Sequence, residues 1–142
     1  MTSLFFVYGT LRPGESNHDL YLRGRVAAEE PARLAGAVLY EGPGYPYLVE
    51  EPERGGPPVR GELITALPSA YERLLAELDV LEEYAPGDPR NLYERVVRDV
   101  TLLDGTKARA WVYVAAPRVA AGLRASGAVI GGGDWVSARR SG

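Results

Sequence analysis

The sequence predicts an α+β domain of short strands around one long helix, and three stretches carry that prediction. Leu4-Phe5-Phe6-Val7 is a continuous apolar run that breaks at Gly9, the pattern of a strand covered on both faces. Tyr71, Leu74, Leu75, Leu78 and Leu81 recur at helical spacing and form the one clear helical stripe in the chain. Residues 93–103 and 107–115 are rich in β-branched and aromatic side chains and flank Asp104-Gly105, a strong hairpin signal. At 142 residues the chain has room for one ordinary core, and no shift of composition marks a boundary, so a single domain over 1–142 is expected.

Composition narrows the chemistry. A net charge of -3 with scattered basic residues offers no stripe for nucleic acid, so small molecules are the expected partners. The chain has no cysteine, which removes disulfides, thiolate nucleophiles and sulfur-ligated zinc. Its one histidine, His18, excludes any site that needs two imidazoles. Nothing approaches the length of a membrane span or the pattern of a signal peptide, and a cytoplasmic setting is expected. Nothing in the sequence sets an oligomeric state.

In chain order, the first strand delivers the loop Gly9-Thr10-Leu11-Arg12-Pro13-Gly14. Ser16 and Asn17 offer caps for a short helical turn near His18. Two or three strands are expected between Arg25 and Val49, broken at Gly36 and at Gly42-Pro43-Gly44-Tyr45-Pro46. That second break places Tyr45 and Tyr47 either on a pocket wall or over a sheet end. Residues 50–58 form an exposed excursion before a strand over 59–65. Ser69 and Glu72 have the spacing of a capping box for the helix, and the hairpin follows. Residues 117–142 hold small residues, the triplet Gly131-Gly132-Gly133 and Asp134-Trp135, and carry no element assignment.

Two features bear on chemistry. Successive amides around Gly9, Thr10 and Leu11 could cradle an anion, with the Thr10 hydroxyl beside them; a tight turn into a helix explains the same residues. On a wheel of about 100° per residue, Glu82 falls four residues after Leu78 and inside the apolar stripe, whereas Glu83 turns to the polar side and Asp79 sits at the margin. A carboxylate aimed at a core must be paired, hydrogen-bonded or partly protonated. In the last turn of a helix, Glu82 could equally escape to water or meet an arginine.

Tyr8-Gly9-Thr10-Leu11 after a strand, Leu78-Asp79-Val80-Leu81-Glu82 ending a helix, and Tyr93-Glu94-Arg95-Val96 opening the next strand together resemble the gamma-glutamylcyclotransferase-like family in order and spacing. Gly44-Tyr45-Pro46, residues 59–63, Ala110-Trp111-Val112-Tyr113 and Gly133-Asp134-Trp135 extend the resemblance along nearly the whole chain. It implies a small mixed β-barrel-like sheet flanked by helices. It also implies that the backbone amides of Tyr8, Gly9, Thr10 and Leu11 bind a glutamyl group, that Glu82 is the catalytic acid/base, and that no cofactor or metal takes part. The Tyr93 and Thr10 hydroxyls are expected as further donors. Members often carry glycine or aspartate after the glutamate, where this chain has Glu83-Tyr84.

The implied reaction is attack of a substrate's own α-amine on its γ-carbonyl, closing 5-oxoproline and releasing an amine. Two other readings stand beside it: a non-catalytic module that binds an amino-acid-like ligand, and a hydrolase or isopeptidase using water. The sequence does not name the leaving group.

Overall fold

The computed structural model describes residues 4–141. Five strands close a barrel: β1 (Leu4–Val7), β2 (Val26–Leu34), β5 (Val59–Ala66), β6 (Tyr93–Leu102) and β7 (Lys107–Ala115), in spatial order β1-β5-β2-β6-β7. All neighbours run antiparallel except β1 and β7, which close the ring in parallel at Phe5 and Trp111. The sheet is therefore mixed. A separate hairpin, β3 (Ala37–Glu41) with β4 (Pro46–Glu50), carries the expected Pro/Gly turn between its strands. The helices are α1 (His18–Tyr21), α2 (Tyr71–Leu81), α3 (Pro117–Ser126) and α4 (Trp135–Ser141).

The alternation of side chains along β1 explains why that strand is apolar throughout. Phe5 and Val7 face a core shared with Ile64, Leu74 and Leu78, whereas Phe6 and Tyr8 face a second core with Leu63, Val112 and Trp135. Both faces are thus buried, and α2 covers the first of them, with the Tyr71 ring 5.8 Å from Phe5. The β6–β7 turn forms as its sequence predicts. Asp104 Oδ1 accepts from the Thr106 amide at 2.9 Å and from its hydroxyl at 2.6 Å, and Gly105 supplies the positive φ of 88°.

Three expectations need correction. Ser69 and Glu72 do not form a capping box: Ala70 is the N-cap, because the turn closed by Ala70 N–H to Leu67 C=O at 2.9 Å takes Ser69 outside the helix. Asn17 caps α1 only by position, since its side chain is engaged elsewhere. The C-terminal stretch is also more ordered than its composition predicts. α3 starts at Pro117, a favourable first helical position, and buries only Ala120. α4 is capped by Asp134, whose Oδ1 accepts from the Ser137 amide at 3.1 Å.

Candidate active site

The loop after β1 is locked from within and from three sides. Arg12 N–H closes a turn onto Gly9 C=O at 3.1 Å. Asn17 fixes Thr10 twice, its amide donating to the Thr10 carbonyl at 2.9 Å and its Nδ2 to the Thr10 hydroxyl at 2.9 Å. Thr10 keeps its own hydroxyl hydrogen free to donate. Gly9 is required by close approach rather than by a special φ, because a Cβ there would lie 2.9 Å from Cδ of Pro46. The Arg12 guanidinium then ties the loop to the barrel and to the C-terminal helix. Nε reaches Glu62 Oε1 at 2.8 Å and an Nη reaches Asp134 Oδ1 at 2.8 Å. Glu15 pairs with Arg139 in the same helix. With these contacts made, the amides of Gly9, Thr10 and Leu11 have no hydrogen-bond partner among the described residues.

These three residues line a cavity of about 250 Å³ together with Tyr8, Tyr45, Pro46, Leu81, Leu92, Tyr93, Trp111, Tyr113 and Glu82. The structure thereby brings Tyr8, Gly9, Thr10, Leu11, Glu82 and Tyr93 around one space. Glu82 is the C-cap of α2, one residue beyond its last turn, and its amide still reaches Leu78 C=O at 2.9 Å. Its direction therefore continues the apolar stripe. Glu83 also borders this cavity, but unlike Glu82 it is exposed, and it takes a positive φ of 53°. Its amide donates to Val80 C=O at 3.0 Å and that of Tyr84 to Asp79 C=O at 2.8 Å, which is a Schellman C-cap with a glutamate at the left-handed position.

Burial pushes the Glu82 carboxyl up from 4.5 to about 7. No ion pair or hydrogen bond holds its side chain among the described residues. Asp79, one turn earlier, is different: its Oδ1 accepts from Arg95 Nε at 2.8 Å and from the Tyr113 hydroxyl at 2.6 Å. Arg95 lies over the Trp111 ring at 4.2 Å, so the cation beside the cavity is already occupied.

The tyrosines are held by their hydroxyls. Tyr8 donates to the Tyr113 carbonyl at 2.5 Å, and Tyr93 donates to the Pro46 carbonyl at 3.0 Å. Tyr93 is thus not a free donor, contrary to the sequence expectation. Desolvation, then the nearby Glu82 charge, raise the Tyr8 pKa well above its ordinary value; Tyr93 is raised by burial, Tyr8 and Glu82 in that order. Tyr47 stacks on Tyr93 with centroids 5.2 Å apart, and its hydroxyl is pushed up to about 12, chiefly by burial. Sequence reading missed Asn17 as the clamp on Thr10 and Asp134 as the partner of Arg12. Neither has a local signal: the first looks like a helix cap and the second lies far along the chain. Among the described residues no group of three or more His, Asp or Glu is placed to hold a metal ion, and no helix is long and apolar enough to cross a membrane.

Three unpartnered loop amides and a desolvated glutamate thus belong to residues that border one cavity. The chain belongs to the gamma-glutamyl cyclotransferase, AIG2-like family, whose model matches residues 5–137. A gamma-L-glutamyl-butirosin B gamma-glutamyl cyclotransferase from Niallia circulans is 40% identical over 110 residues, covering 77% of this chain and 64% of that relative. The chain therefore spans less than two thirds of that protein's length. A putative gamma-glutamylcyclotransferase from Halalkalibacterium halodurans is 38% identical over 96 residues, covering 68% of this chain and 78% of the relative. Among solved structures, an AIG2-like protein from Mus musculus has a TM-score of 0.62 at 26% identity, covering 81% of this chain and 80% of that one. YkqA from Bacillus subtilis has a TM-score of 0.69 at 27% identity, covering 99% of this chain and 42% of that one.

Proposed function

We propose that the protein is a gamma-glutamyl cyclotransferase that converts a gamma-glutamyl amine or peptide into 5-oxoproline and a free amine, with Glu82 as general acid/base. The observation that carries this reading is an unpaired, desolvated Glu82, poised at about 7, in the same cavity as the three unpartnered loop amides. The amides of Gly9, Thr10 and Leu11 bind the substrate's α-carboxylate, and the Thr10 hydroxyl adds a donor. Glu82 takes a proton from the α-ammonium. The freed amine attacks the γ-carbonyl carbon, forming the ring C–N bond. The amide C–N bond then breaks as Glu82 returns its proton to the departing nitrogen, and the second proton shed by the ring nitrogen goes by way of the same carboxylate to the released amine, which leaves as an ammonium. The acyl acceptor is the substrate's own amine, so the protein supplies no nucleophile. Holding the two reacting atoms together is worth an effective molarity of about 10⁵ M or more.

A raised carboxyl pKa suits both proton transfers, since near neutrality the same group accepts and donates with little driving force lost. The relative named for gamma-L-glutamyl-butirosin B supports a gamma-glutamyl amide as the substrate class. The test is mass spectrometry after incubation with a panel of gamma-glutamyl amines and peptides. The expected result is 5-oxoproline and free amine in equal amounts from at least one member. Binding without product across the panel makes the protein a ligand-binding module instead, and free glutamate in place of 5-oxoproline makes it a hydrolase.

A further inference from the structure

Recognition of the α-amino group is left open by the loop amides, which are donors and bind only the carboxylate. Tyr8, Tyr93 and Tyr113 line the cavity with Glu82; the Tyr113 hydroxyl is bound to the Asp79 carboxylate, which leaves Tyr8 and Tyr93, both buried, as the tyrosines whose hydroxyls are not engaged with a charged group. A tyrosine hydroxyl has one hydrogen and two lone pairs. Here each hydrogen is already donated to a carbonyl, that of Tyr113 for Tyr8 and that of Pro46 for Tyr93. Toward anything else these oxygens act only as acceptors.

Resting on the cyclotransferase reading, we infer that the Tyr93 hydroxyl oxygen, seconded by that of Tyr8, accepts hydrogen bonds from the substrate's α-ammonium and makes the site specific for an α-amino acyl group. The chemistry needs acceptors at this place. An ammonium presents three N–H groups and Glu82 removes one proton; neutral acceptors hold the others before and after the transfer. A hydroxyl donor would cap the lone pair of the nitrogen that must attack, and an acceptor-only oxygen leaves it free. The Pro46 carbonyl that fixes the Tyr93 hydroxyl belongs to the residue whose ring presses on Gly9, so carboxylate and ammonium partners are positioned by one residue through two contacts. Tyr47, stacked on Tyr93, keeps the ring from rotating away.

The test compares two ligands by calorimetry in the Glu82→Gln background, where turnover does not interfere. One is an N-alkyl gamma-glutamyl amide and the other is its des-amino counterpart, an N-alkyl glutaramate, which keeps the carboxylate and the amide. Adding Tyr93→Phe removes an acceptor for a charged donor and weakens the gamma-glutamyl ligand about tenfold, while the des-amino ligand changes less than about twofold. Equal weakening of both makes the Tyr93 hydroxyl a packing group and overturns the inference without touching the cyclotransferase reading. If Tyr93→Phe does not fold, Tyr8→Phe carries the same comparison with the same two outcomes. Binding of neither ligand by Glu82→Gln itself overturns the site reading, and the inference with it.

Discussion

The burial that suits Glu82 to the proposed acid/base role weakens the fold, and the sign follows from its titration. Its carboxyl sits at about 7 in the folded protein against an ordinary 4.5, because burial disfavours the charged form. The stability associated with its protonated form is fully present below about pH 4.5 and is lost as pH rises through about 7. At about 1.4 kcal/mol per unit, up to about 3 kcal/mol is at stake, less whatever water reaches the carboxylate. Glu82→Gln is therefore expected to be more stable than the parent at pH 8, by about 2 kcal/mol in urea unfolding, and indistinguishable from it near pH 4. A variant no more stable at pH 8 would show that Glu82 is solvated. The neighbouring residue makes the complementary case. Glu83 occupies a left-handed position that glycine adopts without cost, so Glu83→Gly is expected to raise stability by about 1 kcal/mol and to leave product formation intact. Loss of activity in that variant would move the acid/base role one residue along the chain.

At the scale of elements, the site is a loop held in shape by a strand, a hairpin and a terminal helix. Arg12 is the junction, paired at 2.8 Å with Glu62 in β5 and with Asp134 at the start of α4. Arg12→Ala leaves two largely shielded carboxylates without their cation and is expected to cost about 2 to 3 kcal/mol, read from urea unfolding. Asp134→Asn keeps a neutral acceptor for Arg12 and for the Ser137 amide, and about 1 kcal/mol is expected there. If Arg12→Ala unfolds like the parent, the loop is shaped by its internal bonds alone. The same elements mark what the sequence made legible. β1, α2 and the β6–β7 hairpin follow from local chemistry, namely an unbroken apolar run, a helical stripe and an Asp-Gly turn. Glu82 was legible because its backbone follows the helix direction even after the helix has ended. α3 was not, since a helix that buries one alanine has almost no stripe to read, and α4 is only seven residues long, too short for its buried Trp135 to establish a period. The capping box failed because a turn competes for Ser69, a tertiary choice that spacing does not encode.

For the molecule as a whole, closing β1 onto β7 brings the first loop to one cavity with the end of α2 and the start of β6, which lie far along the chain from it. The barrel was reached through likeness of motifs and not from strand patterns, because alternation reports which residues face a core and says nothing of which strand closes the ring. Desolvation of Glu82 is a property of this whole arrangement, of Tyr8, Leu81, Tyr93 and Trp111 together. The central claim is that this one carboxylate transfers the proton. It is tested by the rate of 5-oxoproline formation across pH 5 to 9 for the parent and for Glu82→Gln. The parent is expected to lose kcat/KM about tenfold per pH unit below about 7, as the base becomes protonated before substrate arrives. The variant should be slower by about 10⁴ at pH 8, with that acidic limb gone. A Glu82→Gln rate near the parent's, or an unchanged acidic limb in the variant, would contradict the account.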